Sequence, residues 1–306
     1  MAPVLIEEAI RLNRRRIVAM AAAAAVNYWV VVTFLAWIIL WGKVDRSYGI
    51  VELWTSAAAG AVVAMAIVGS QVRSIRPRTV AQLGAVEISR AEFPAVENLL
   101  AELAIAVGTA PVRAALLVDN APNALTVGRT PSDTTIVVTT GLIEGLTRDE
   151  LEGVLAAELW AVRRFDTAMQ SVTVACTGSA IAAHHDFRED WQDPRVWLLI
   201  AGTWPTMVFA ELLRRSILRN CDFGADAMAV ATTRHPEALR LAMQRLRDDE
   251  VAVEVLEART APLWFEPVPH DDGRRAREFQ RIALTPTLDE RISQLPDHAA
   301  PPHAPT

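Results

Sequence analysis

Residues 147–166, TRDELEGVLAAELWAVRRFD, read as one amphipathic helix around which the rest of the chain is arranged. Thr147 and Glu150 have the Thr-x-x-Glu spacing of a capping box, which satisfies two of the free N–H groups at a helix start. Asp149 adds negative charge where the helix dipole favours it. Leu151, Val154, Leu155, Leu159 and Val162 recur at spacings of three and four, so they form one apolar stripe facing a core. On the residues alone, Glu158 reads as solvated surface, because a single Glu on such a helix is rarely buried.

The centre of the helix is Ala157-Glu158-Leu159-Trp160-Ala161. Zinc peptidases carry His-Glu-x-x-His on a helix, with two imidazoles one turn apart on the metal and the Glu as base toward the metal-bound water. Here alanine stands at both histidine positions, and Glu158 stands at the base position. Residues 123–166 as a whole resemble the HtpX-type membrane metallopeptidases. The matching positions, in order, are Asn123, Ala124 and Gly128; Val138, Thr139, Gly141 and Leu142; then Glu150, Leu151, Glu158 and Asp166. That resemblance implies an α+β, mainly helical protein: transmembrane helices plus a zincin-like soluble domain with a small sheet. It also implies that Asn123, Ala124, Leu125, Thr126, Val127 and Gly128 form an edge strand holding extended substrate by strand addition. Asp166 would support the site from behind the ligands.

Upstream, the basic amphipathic stretch 1–16 ends in Arg14-Arg15-Arg16 and leads into an apolar run over about 17–41. This run is too long for a signal-peptide core and lacks a convincing cleavage site, so it reads as an uncleaved membrane helix. A short loop with Lys43, Asp45 and Arg46 leads to a second run over about 50–70, rich in Ala, Gly and Val, which suits close helix packing in lipid. Arg73, Arg76 and Arg78 follow it at once. Basic clusters therefore bracket a hairpin spanning residues 1–79, and the positive-inside rule puts the following domain on the cytoplasmic side of the inner or plasma membrane. Two buried helices of a soluble domain are the plainer alternative. The 52% hydrophobic content agrees with membrane spans, and a net charge of −6 argues against a nucleic-acid partner. Two cysteines, Cys176 and Cys221, make no disulfide framework.

From residue 80 to 295 the chain reads as the peptidase-like domain, followed by a Pro- and Ala-rich disordered tail over 296–306. A helix begins at Phe93 and ends at Gly108 and Pro111. Strands follow at 112–119, 125–127 and 135–140, the last two joined by a turn-rich hairpin link. An ordinary α+β core without a groove fits this pattern as well. A second hairpin occupies about 168–213 and either spans the membrane or packs on the domain. Its loop, with His184, His185, Asp186, Glu189, Asp190 and Asp193, reads as hydrated surface rather than a metal site, since nothing fixes a ligand geometry.

The resemblance extends to Asp222-Phe-Gly-Ala-Asp226, where Asp222 takes the position of the third zinc ligand and Asp226 that of a supporting carboxylate. Asp222 is one methylene shorter than the family's Glu. For Asp226 the plainer role, capping or supporting its helix, is preferred. His235 begins a turn into a helix over 239–246, and Pro286, Arg291 and Ile292 match the family's closing segment. Zinc is thus the cofactor of the family, with none or only weak binding expected here. Three readings follow. The chain is a catalytically degenerate pseudopeptidase that keeps a cleft for unfolded or membrane polypeptides, in membrane-protein quality control. Alternatively it is an active zinc endopeptidase with replacement ligands drawn from Glu158, Asp222, Asp166 or a histidine. Or it is a structural membrane protein whose cleft is plugged by Trp160.

Overall fold

A computed structural model describes residues 2–41, 50–88, 93–186, 221–249, 251, 253–254, 260–266 and 285–296. Two long helices open the chain, α1 (Ala2–Trp41) and α2 (Ile50–Leu83). The basic stretch 1–16 is not a separate amphipathic element; from Ala2 it belongs to α1 itself. Likewise Arg73, Arg76, Pro77 and Arg78 lie inside α2 rather than after it. Within these helices Ile6–Phe34 and Trp54–Leu83 are long and apolar enough to cross a membrane. Only 11% and 17% of their most apolar windows are buried, which separates them from the core helices of a soluble protein. Val18, Val26, Val62 and Met65 are exposed on them.

The sheet has the strand order β1-β2-β4-β3, with β1 (Val86–Glu87), β2 (Arg113–Leu117), β3 (Ala124–Gly128) and β4 (Thr134–Thr139). β2 and β4 are parallel; β1 and β3 pair antiparallel to their neighbours. β3 and β4 form the expected hairpin, and β3 is an edge strand. Helix α3 (Pro94–Val107) precedes β2 and ends on Gly108 in the left-handed conformation. The short α4 (Thr140–Gly145) follows β4, with the Thr139 hydroxyl accepting from the Leu142 N–H at 3.1 Å. Gly141 permits a close approach there, because a Cβ would collide with the backbone carbonyl of Asn120.

The central helix α5 runs Arg148–Arg163 and has the full capping box: Thr147 N–H donates to Glu150 Oε2 at 2.7 Å, and Glu150 N–H to Thr147 Oγ1 at 3.4 Å. All five residues of its expected stripe are buried. The helix ends three residues earlier than expected, because Phe165 turns the chain with φ 65° and Asp166 begins α6 (Asp166–Asp186). His184, His185 and Asp186 are accordingly the last turn of α6 rather than part of a loop. The rest of the expected loop, the second arm of that hairpin, the 43–46 loop and the 297–306 tail lie outside the described residues. Among the described residues three further helices follow: α7 (Cys221–Thr233), α8 (Pro236–Asp248) and α9 (Leu288–Gln294). His235 is an exposed turn residue before α8, which begins at Pro236 rather than Leu239.

Packing explains why β3 and β4 are buried along their whole length instead of alternating. Ala124, Ile136 and Val138 face a core shared with α3, α5, α7 and α8. Leu125, Val127 and Val137 face the opposite way, onto Ile75 and Leu83 at the foot of α2 and onto Val174 and Ala175 of α6. A third cluster joins Met20 and Ala24 of α1 to Val68 of α2 and to Met169, Val172 and Cys176 of α6. The sheet is thus sandwiched between the helical domain and the foot of α2, with α6 bridging the two.

Candidate functional site

Ala157, Glu158 and Ala161 of α5, Gln170 of α6, Asp222 and Ala225 of α7, Arg291 of α9 and the segment Pro262–Phe265 line one pocket. Its free volume is about 20 Å³, room for a single water. Glu158 forms part of the pocket wall, which overturns its reading as a solvated surface residue. Burial, reinforced by Asp222 and Asp226, pushes its carboxyl up to about 7, against the opposing pull of the Thr126 hydroxyl and the Arg291 guanidinium. Burial also lifts Asp222 to about 6, with Asp226 adding to it and Arg291, Arg164 and Gln170 opposing.

Arg291, 5% exposed, is the fixed cation of this group. Its Nε donates to Asp226 Oδ2 at 2.8 Å and its Nη2 to Asp226 Oδ1 at 2.7 Å, a two-pronged pair. Burial works against its charge, but Asp226, helped by Asp222 and Glu158, outweighs this and holds the guanidinium protonated. Asp226 therefore neither caps its helix nor faces the pocket; it anchors Arg291.

Asp166 lies outside the pocket. Its Oδ1 accepts from Asn13 Nδ2 at 2.7 Å, and Arg164 lies 3.1 Å from its Oδ2. Asn13 also donates to the Arg164 carbonyl at 2.9 Å, so α1 is tied to the α5–α6 elbow. Arg164 in turn reaches Gly224 of α7, where any Cβ would collide with its guanidinium. Trp160 does not plug the cleft. It is buried in the core with its Nε1 donating to Thr232 Oγ1 at 2.9 Å and Arg163 stacked 5.0 Å from its ring.

The pocket offers two carboxylates, one amide and a guanidinium, without imidazole or thiolate. Among the described residues, no three His, Cys, Asp or Glu side chains are grouped closely enough to hold a metal ion. The two carboxylates that the described residues supply do not fit zinc, whose protein sites use at least three His, Cys, Asp or Glu ligands. Of the histidines, His235 is remote on its surface turn, and His270, His298 and His303 lie outside the described residues.

The edge strand is not open. Leu125 of β3 forms an antiparallel bridge with Trp264, and the Phe265 N–H donates to the Ala124 carbonyl at 2.8 Å. The Asn123 side chain clasps the next residue twice, Nδ2 donating to the Glu266 carbonyl at 2.8 Å and Oδ1 accepting from its N–H at 3.1 Å. At the far end of β3, Gly128 N–H donates to Ser171 Oγ at 3.0 Å. Sequence reasoning passed over this segment, Asn13, Gln170 and Arg164, and it matched Arg291 without giving it a role. The adjacent aromatics Trp264-Phe265 were the one available signal.

Two long apolar helices, a small mixed sheet and a central helix with a glutamate in a pocket wall define a peptidase-like helical membrane protein. Residues 90–298 match the profile of Peptidase family M48, and the chain belongs to that family. It is 29% identical over 224 residues to a Protease HtpX homolog of Dictyoglomus turgidum, covering 69% of this chain and 72% of that protein. A Protease HtpX homolog of Dictyoglomus thermophilum is 30% identical over the same proportions. One from Streptococcus gordonii is 25% identical over 266 residues, 79% of this chain and 88% of the relative. No solved structure matches.

Proposed function

We propose that this protein is a catalytically degenerate, HtpX-like member of the M48 peptidases that binds polypeptide without cleaving it. Its domain would sit on the cytoplasmic face, where it would serve membrane-protein quality control as a regulator, scaffold or adaptor. The observation that carries the reading is the pocket wall: methyl groups of Ala157 and Ala161 flank Glu158 where the family motif implies imidazoles. Asp222 lines the same pocket, which supports a third-ligand position for it, and Asp226 holds Arg291, which also lines the pocket. A hydrolase of this type needs a metal to acidify water and polarise the carbonyl. Glu158, its carboxyl raised by burial toward neutral pH, is left without either partner. The covered β3 edge supports a second reading, a purely structural membrane protein.

The test is zinc content by elemental analysis of the full chain purified in detergent, beside the double variant Ala157→His/Ala161→His. The expected result is far less than one equivalent in the native chain and a gain of zinc in the variant. One equivalent in the native chain overturns the degenerate reading in favour of replacement ligands.

A further inference from the structure

The outer edge of β3 has an occupant supplied by the chain itself. Leu263–Glu266 lies antiparallel to Asn123–Leu125, with Trp264 and Phe265 on opposite sides of the sheet edge. Trp264 enters the core against the foot of α2, and Phe265 enters the core shared with α5. Both are 3% exposed. This is how an added strand is read: backbone bonds hold it, and alternate side chains fill apolar sites on either face.

Two features set this segment apart from an ordinary fifth strand of the sheet. The pairing is only about three residues long, and its ends are held by side chains. Asn123, 3% exposed, grips Glu266, while Arg291 Nη1 donates to the Phe265 carbonyl at 3.0 Å with its guanidinium 4.0 Å from the ring centroid. The same residues, Pro262–Phe265, wall the pocket beside Glu158. One strap therefore covers both the strand edge and the pocket.

We propose that Leu263–Glu266 is a displaceable internal mimic of the partner, which is an extended polypeptide carrying two adjacent aromatic or large apolar residues and entering antiparallel to β3. This rests on the polypeptide-binding reading above. When the strap is seated the edge is closed; when Asn123 and Arg291 release it, edge and pocket open together.

Leu125 and Trp264 are bridge partners at a position flanked by hydrogen bonds, where Cα atoms stand about 4.5 Å apart, within the range a disulfide tolerates. The full chain in detergent would carry Leu125→Cys and Trp264→Cys with Cys176→Ala and Cys221→Ala. The probe is a fluorescein-labelled peptide copying Ala261–Glu266, read by anisotropy, with a control peptide bearing glycine at both aromatic positions. The expected result is no binding to the oxidised, locked protein and saturable binding after reduction. Phe265→Gly, which loosens the strap but leaves every group that would hold the peptide, should bind about tenfold more tightly than the native chain, because a larger fraction is open. It also serves if the cysteine variant fails to fold. Equal binding in locked and reduced protein, or no gain in a folded Phe265→Gly, overturns the strap while leaving polypeptide binding intact. Equal affinity for the glycine peptide overturns the partner class. Binding in none of these folded forms overturns both the strap and the polypeptide-binding reading.

Discussion

At the scale of single residues, Glu158 is the group whose chemistry the fold changes most. Its carboxyl rises from 4.5 to about 7, so between those values the folded protein keeps a proton that the unfolded chain has released. The associated stability is complete below about pH 4.5 and is lost as pH rises through 7. Asp222 shifts in the same direction and adds to the slope. Glu158→Gln has no charge to accommodate, so it should raise the melting temperature at pH 8, by an equivalent of up to about 3 kcal/mol, and change little at pH 4.5. Thermal melts of both proteins across that range decide it; a shift independent of pH removes the ionisation of Glu158 as the cause. None of this was legible in a lone Glu on an amphipathic helix. Its burial depends on Arg291 and on Pro262–Phe265, more than 100 residues away in the chain.

Among the elements, those governed by local chemistry could be read in advance and those made by distant contacts could not. The capping box at Thr147, the β3–β4 hairpin and the end of α3 at Gly108 follow from residues within a few positions of each other. The end of α5 does not, because Phe165 takes a left-handed φ that bulky residues rarely adopt, with no glycine or proline to announce it. The strap escaped as well: it is too short for a strand period and follows Pro262. The α5–α6 elbow is held from outside by Asn13 of α1. Asn13→Ala should therefore destabilise the protein by about 1–3 kcal/mol by removing a buried donor to Asp166. Asn13→Asp should cost more, since it sets a second carboxylate against Asp166. Melting curves in detergent that rank Ala and Asp equally would refute a role for that hydrogen bond.

For the whole molecule, the proposal that the domain faces the cytoplasm rests on the arginines at the feet of α1 and α2. Ser132→Cys, on the exposed hairpin link, should react with a membrane-impermeant maleimide in inverted vesicles of a bacterial host and not in intact spheroplasts. The reverse pattern overturns the orientation. Arg76 of α2 meanwhile reaches across to Asp133 of that same link at 2.9 Å, and Arg14 of α1 lies 5.6 Å from the Phe165 ring at the elbow. The domain is therefore not a bead on a leash. A tilt of α1 within the bilayer bears on Asn13, then on Asp166 and Arg164, and so on the helix that carries Asp222. A change in lipid thickness that tilted α1 would reach the pocket through those contacts, and a chain cut free of its first two helices would lose that lever along with the floor of its sheet.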